Sequence, residues 1–226
     1  MLGEEGYGIT IASRRPAKLE AAYELLSAKG YEVEQLAGDL GDPEHISAVV
    51  RGHSRRFGRL DVLVNNAGMG ISGRAGEVTD KDIALQIRTN LASVIFFYRE
   101  ALSLLLASGA QQGRALVVNM ASMSGKEAEA GLGVYSATKY GVVGYTEAMN
   151  RELAPRGVRS TAICPGLVDT PMTDFLKDEV SADSMIQTAD ISEAVRYLLR
   201  TSRGCLIPEM QIQQPDPPRL DLGVSS

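Results

Sequence analysis

The sequence predicts a three-layer α/β fold, a doubly wound parallel sheet with helices on both faces. Two observations carry this. Short apolar runs alternate with longer stretches of 3.6-residue periodicity along the whole chain, which is the pattern of strands joined by helical crossovers. Several runs, 60–64 and 115–120 among them, are apolar almost throughout, as strands buried on both faces must be. No repeat, linker or second-domain boundary interrupts this order. Residues 1–212 therefore read as a single domain and 213–226, rich in Pro and Asp, as a loose tail.

Taken in order, residues 9–12 form a short buried strand, and Ser13-Arg14-Arg15-Pro16 leads from it into a helix. Pro16 suits the first helical position, Leu19, Ala22, Tyr23 and Leu26 make one apolar stripe, and Gly30 is the stop. Residues 31–36 are the next strand, ending at Gly38-Asp39-Leu40. Asp42-Pro43 opens a second helix with Ile46, Val49, Val50, His53 and Phe57 on one face. His53 thus reads as a helix-flank residue, not a ligand. Residues 60–64 run as a strand into Asn65-Asn66-Ala67-Gly68, and 80–107 read as one long helix with Asn90 near its middle. After the strand at 115–120, Ser122 lies in a Ser/Gly loop. The helix at 134–153 carries Tyr135 and Lys139, and its Ala137, Gly141, Gly144 and Ala148 leave a flat face for a sheet or a partner helix. Residues 159–164 form a strand entering Pro165-Gly166, and a polar insert, 173–187, comes next. Asp190, with Glu193 three residues on, caps a helix through Leu199. Residues 206–212 are the last strand, which Pro208 places at a sheet edge.

Composition excludes several classes. A net charge of -5 with interspersed acids and bases is no footprint for nucleic acid. Cys164 and Cys205 are isolated and there are only two His, so neither a disulfide framework nor a metal site is expected. There is no signal peptide, and no uninterrupted apolar run nears the ~18 residues of a membrane helix. A cytoplasmic protein acting away from membranes is the expectation.

In open α/β sheets the ligand crevice lies beyond the carboxyl ends of the strands. Asn65-Asn66, Ser122 and Pro165-Gly166 all fall at such ends, and the helix of Tyr135 starts near the same rim. Tyr135 and Lys139 are four residues apart, one helical turn, and share a face. An ammonium beside a phenol favours the phenolate and lowers a pKa that is otherwise near ~10. That suits proton transfer near neutral pH. Chance alone supplies roughly 0.2 such Tyr–Lys spacings in a chain of this composition, so the pair needs its company to mean anything.

With that company the chain resembles the short-chain dehydrogenase/reductase family. The match rests on Asn65-Asn66-Ala67-Gly68, Asn90, Ser122, Tyr135 with Lys139, and Pro165-Gly166-Leu167-Val168-Asp169-Thr170-Pro171-Met172, in that order along about 7–212. The resemblance implies a Rossmann-like fold and hydride transfer between a nicotinamide and a carbonyl or alcohol. Tyr135 would be the general acid/base, Lys139 would depress its pKa and hold the nicotinamide ribose, and Ser122 would bond the substrate oxygen. Asn90 would hold a water joining Lys139 to solvent. Asn66, Ala67 and Gly68 would cover the cofactor, Asp39 and Leu40 would flank the adenine, and Pro165, Gly166, Val168 and Thr170 would secure the carboxamide and phosphates. At Ser13-Arg14 the acid that would select NAD is replaced by arginines, which favours the 2′-phosphate of NADP. Met123, Leu167, Phe175 and Leu176 would wall the substrate pocket, the insert 173–187 would be a mobile lid, and the two long helices with the last strand would build a homodimer or homotetramer.

The family's first strand and its Gly-rich turn are missing from the pattern, so the chain reads as N-terminally incomplete. Gly68-Met69-Gly70-Ile71-Ser72-Gly73 is a literal G-x-G-x-x-G, but the residues after Gly73 do not open a helix on those glycines. The missing strand would be interior, so its two neighbours should lack backbone partners, and NADP(H) should bind weakly. The competing function is a non-catalytic Rossmann-like binding or regulatory protein with an impaired cofactor site.

Overall fold

The computed structural model describes residues 1–177 and 180–217. The elements are β1 (Ile9–Ser13), α1 (Pro16–Ala28), β2 (Val33–Ala37), α2 (Pro43–Phe57), β3 (Val62–Asn65), α3 (Asp80–Ile87), α4 (Ser93–Gln112), β4 (Ala115–Met120), α5 (Gly133–Leu153), β5 (Val158–Pro165), α6 (Thr188–Arg200) and β6 (Glu209–Ile212). All strand pairs are parallel, but the sheet is in two pieces, β1-β2 and β3-β4-β5-β6. No ladder joins β1 to β3 among the described residues. Both strands are only half-buried for most of their length, whereas β4 and β5 are buried almost throughout. The expected pair of neighbours without a ladder between them is therefore present.

Helix α2 helps to tie the pieces together. Helix α2 packs on β1, β2 and α4, and its His53 spans the break. Nδ1 lies 2.8 Å from Thr10 Oγ1 on β1, and Nε2 lies 2.8 Å from the Arg59 carbonyl just before β3. Burial holds the imidazole below its ordinary pKa, so it is neutral near pH 7. Its Nε2–H then donates to the carbonyl while Nδ1 accepts the threonine proton. His53 is a joint, more than the flank residue its spacing suggests. The first eight residues turn back on α6 without extending the sheet. Glu4 and Glu5 pair with Arg196, and Glu5 also with Arg200.

Side chains of the central strands alternate as the pleat demands. Val117 of β4 joins Tyr98, Ala101, Leu105 and Leu153 beneath α4 and α5, while Leu116 and Val118 join Val195, Leu198 and Leu199 beneath α6. Tyr98 is 1% exposed, and its hydroxyl is satisfied by Ser160 Oγ at 2.9 Å. Asp42 caps α2 by accepting from the Glu44 N–H, and Gly58 closes it in the left-handed conformation.

Three local expectations change. The long helix is α3 and α4 joined through a π turn, Arg88–Ala92, and runs to Gln112. Over 80–112 it is long and apolar enough to cross a membrane by length and composition; here it packs on α2, β3, β4 and β5. Asp190 is not the cap of α6 but its N3 residue: Gln187 holds the N-cap position, and the Asp190 carboxylate accepts the Gln187 N–H at 2.8 Å. The insert after β5 reads as polar but has its own small core of Leu176, Val180 and Met185 against Leu167. Residues 178–179 of that insert and 218–226 of the tail lie outside the described residues.

Candidate active site

The rim at the carboxyl ends of β3, β4 and β5 is assembled by close backbone approach. Beyond β4, Ser122 has extended backbone and caps the turn Met123–Gly125, its Oγ accepting from the Ser124 N–H at 3.1 Å. Gly125 lets this turn press on α5: a Cβ there would lie 2.8 Å from the Lys139 carbonyl carbon and 2.9 Å from its oxygen. The contact brings Ser122 up to the Tyr135 phenol, near enough for its hydroxyl to act on the phenol's pKa. Because Ser122 Oγ accepts from the backbone, its own proton is free to donate.

Lys139 is 4% exposed. Its Nζ donates to the Met120 carbonyl at 2.7 Å and sits 5.5 Å from the centre of the Tyr135 ring. Burial pushes the ammonium down to about 8. The Tyr135 phenol is raised above its ordinary value, chiefly by burial, with Ser122 opposing and Glu129 reinforcing. This corrects the expectation of a depressed phenol. Desolvation outweighs whatever Lys139 contributes: the ammonium is turned to the Met120 carbonyl and lies over the ring face.

Asn90 occupies the centre of the π turn, a local widening that aims its amide inward and that is frequent at functional sites. Its Oδ1 accepts from the Met69 N–H at 2.8 Å, and its Nδ2 donates to the Met69 carbonyl at 2.8 Å and to Thr138 Oγ1 at 3.1 Å. The side chain thus braces the loop after β3 at both Met69 backbone groups and ties it to Thr138 of α5. Gln86 Oε1 holds the same loop at the Ile71 N–H, 3.1 Å. The loop runs over Tyr135 and Lys139, with a Cβ on Gly68 falling 3.4 Å from Lys139 Nζ and one on Gly70 3.7 Å from the Tyr135 ring.

Asn66 is exposed, and Ala67 and Gly68 are half-buried on this rim. Pro165 ends β5 buried, with Gly166, Val168 and Thr170 half-buried beyond it; Val168 pairs with Ile186 of the insert. The residues expected on the adenosine side lie at the other sheet piece. Ser13 ends β1, where its Oγ accepts the Arg15 N–H at 3.3 Å, and Arg14 is exposed. Asp39 accepts the Gly41 N–H at 2.9 Å and pairs with Arg88 at 2.9 Å; Leu40 beside it is half-buried. Arg88 belongs to the π turn of Asn90, so one distorted turn touches both halves. Of the expected pocket walls, Leu176 is buried in the insert core, Phe175 is 69% exposed, and Met123 packs partly against α5 and β5 residues.

Sequence reasoning missed Thr138, Gln86, Met120 and Asn119. The last was visible as a polar residue inside an apolar strand: Asn65 Nδ2 donates to Asn119 Oδ1 at 2.8 Å, and Asn119 Nδ2 donates to Thr146 Oγ1 at 2.9 Å.

Such a sheet, with Ser, Tyr, Lys and Asn gathered on its carboxyl rim, is the arrangement expected of a nicotinamide-dependent oxidoreductase of the family this chain resembles. Residues 1–181 match the short chain dehydrogenase family. A Streptomyces virginiae protein named for the ketoacyl reductase role in a monensin polyketide synthase is 36% identical over 182 residues, covering 80% of this chain and 69% of that one. Actinorhodin polyketide ketoreductase, solved as a single-residue variant with NADPH, superposes with a TM-score of 0.84 at 29% identity, over 94% of this chain and 87% of that one. The 3-ketoacyl-(acyl-carrier-protein) reductase from Brucella melitensis, complexed with NADH, gives 0.83 at 25%, over 93% and 88%. The chain belongs to the short-chain dehydrogenase/reductase family.

Proposed function

We propose that this protein is an NADP(H)-dependent reductase of a neutral carbonyl compound, with Tyr135 as its proton donor. The observation that carries the reading is the convergence of Ser122, Tyr135 and Lys139 on one rim. When bound, a nicotinamide supplies or takes the hydride. Tyr135 then gives its proton to the developing alkoxide. A phenol held above its ordinary pKa keeps its proton at neutral pH, which is the form that reduction needs. Ser122 donates its free proton to the same oxygen as charge develops there. Asn90 is assigned to the relay behind Lys139, acting through the loop it braces.

The residues present fit a nicotinamide ribose. An ammonium has three donors, Met120 takes one from Lys139, and glycine at 68 keeps the approach beside Nζ clear of a side chain. Asn66, Ala67, Pro165, Gly166, Val168 and Thr170 would complete that end. Ser13, Arg14, Asp39 and Leu40 would take the adenosine, the exposed Arg14 next to the 2′-phosphate of NADP. Ketoacyl reductases among the relatives make a β-keto ester the first substrate to try. Ala137, Gly144 and Ala148 form an exposed small-residue stripe on α5, which supports a homodimer or homotetramer through the long helices.

The test is NADPH oxidation followed with ethyl acetoacetate and a panel of aldehydes and ketones, for wild type and Tyr135→Phe. A loss of about 100-fold or more in the variant supports the reading; equal rates discard it. The break between β1 and β3 favours a second reading, a binding protein without turnover. Calorimetric NADPH binding with no reduction of any carbonyl would select that one.

A further inference from the structure

The segment that leaves β6 is expected from composition to be loose, yet Gln214 is only 7% exposed. Its side chain reaches the turn that follows β5. Nε2 donates to the Leu167 carbonyl at 3.2 Å, and Oε1 lies so close to Gly166 that a Cβ there would be 2.4 Å from it. The neighbouring backbone closes the same clasp, with the Gly166 N–H donating to the Ile212 carbonyl at 2.8 Å. The Leu167 carbonyl is shared, since the Ile186 N–H also donates to it at 2.9 Å, and the Asp169 N–H returns to the Ile186 carbonyl at 2.8 Å. One residue earlier, Gln213 Nε2 lies 3.0 Å from Met123 Sδ, beside Ser122. On the edge strand itself, Glu209 pairs with Lys126 at 2.8 Å, just past the Ser122 turn. Three side chains from 209–214 thus fasten the two loops that frame the rim. Gln214 alone of the three is buried and touches the turn assigned to the carboxamide.

We propose that Gln214 is a positioning residue, whose amide holds the Gly166–Leu167 turn in the shape that receives the nicotinamide end of the cofactor. The inference rests on the reading above for what binds, but not for the clasp itself. An amide fits where neither a carboxylate nor a truncated side chain would. Glutamate would set a carboxylate oxygen against the Leu167 carbonyl, and alanine would leave that carbonyl with Ile186 alone and the Gly166 face open. Glycine at 166 is the other half of the device, because any side chain there must expel Gln214 Oε1.

The test uses hydrogen exchange and binding together. In the free protein, Gln214→Ala and Gln214→Glu should speed exchange at the amides of Gly166, Asp169 and Ile186 by about 3-fold or more, while Val117 and Val118 of β4 stay unchanged. NADPH affinity measured by calorimetry should fall about 3- to 10-fold, the scale of one hydrogen bond. Affinity for 2′-phospho-ADP-ribose, which lacks the nicotinamide, should hold. Gly166→Ala should mimic the loss in wild type and add little in the Gln214→Ala background, as two halves of one contact must. Unchanged exchange in both Gln214 variants overturns the clasp. Faster exchange with equal losses for both ligands reduces Gln214 to a structural role and overturns the proposal. If wild type binds neither ligand, the cofactor reading falls and the positioning role with it, while the exchange data still report on the clasp.

Discussion

The Lys139 ammonium is buried against the Met120 carbonyl, 2.7 Å away, and burial pushes its pKa from 10.5 down to about 8. Below pH 8 both folded and unfolded chains carry the proton, so the folded state bears the full cost of the buried charge, on the order of 3 kcal/mol. Between about 8 and 10.5 the unfolded chain binds more protons, and stability rises with pH. Wild type should therefore gain on Lys139→Met by roughly that amount from pH 7.5 to 10.5. Urea unfolding of both proteins across this range checks it; a constant difference would mean that Lys139 titrates normally.

Asn90 braces a loop whose backbone has few other partners. Asn90→Ala would strip Met69 of a donor and an acceptor and leave Thr138 Oγ1 without its amide. Each buried group left unmade costs about 1–3 kcal/mol, so a destabilisation of about 2–4 kcal/mol is expected. Activity should fall further than stability explains, since the same loop covers Lys139 and Tyr135. Asn90→Asp keeps the acceptor for the Met69 N–H but sets an oxygen against the Met69 carbonyl, and should recover only part of the loss. Denaturation midpoints and steady-state rates on the three proteins separate the two effects.

Gly125 was legible only as loop chemistry, yet it sets the spacing between Ser122 and α5. Gly125→Ala would place a Cβ 2.8 Å from backbone of Lys139, where nothing can swing aside. The turn must retreat, at about 1–3 kcal/mol, taking Ser122 from the phenol. The expected signature is a drop in kcat with KM for NADPH little changed, and Ser122→Ala in that background should cost less than in wild type. Full additivity would show that the turn does not carry Ser122 with it.

The features readable from sequence and those hidden in it divide along a physical line. Strands such as β4 were readable because burial on both faces leaves an unbroken apolar run, and α2 because Asp42, Pro43 and Gly58 punctuate it. The grouping of Ser122, Tyr135 and Lys139 was readable because each sits at a strand end or helix start that topology sends to one rim. The π turn at Asn90 was not, since inserting one residue into a helical ladder leaves the local composition unchanged. Nor was the sign of the Tyr135 shift. Spacing brings an ammonium onto the same helix face, but only the folded chain shows it aimed at Met120 and the phenol raised chiefly by burial. The core of the insert was masked because Leu176, Val180 and Met185 meet only after the chain turns on itself. Gln214 was hidden for a related reason: its partner, a backbone carbonyl 47 residues earlier, leaves no trace in local sequence.

His53 joins sheet pieces that share no ladder among the described residues, and its protonation should loosen that joint. The neutral ring accepts from Thr10 and donates to Arg59, and burial lowers its pKa below 6.5 despite Asp61, which acts in the opposite sense while held by Arg59. A histidine depressed in the folded state contributes stability that is present above 6.5 and is lost as pH falls through the folded value. Protonation also costs the Thr10 contact its acceptor, leaving two donors face to face until the hydroxyl rotates. Wild type should thus lose stability on going from pH 7 to 5 more steeply than His53→Gln, which cannot titrate and cannot reach both partners. At pH 7 the variant should be the weaker protein, and the two curves should converge toward pH 5. Hydrogen exchange at the β1 amides should accelerate over the same interval in wild type only. Parallel unfolding curves for the two proteins would show that the joint is held by the packing of α2 rather than by the imidazole.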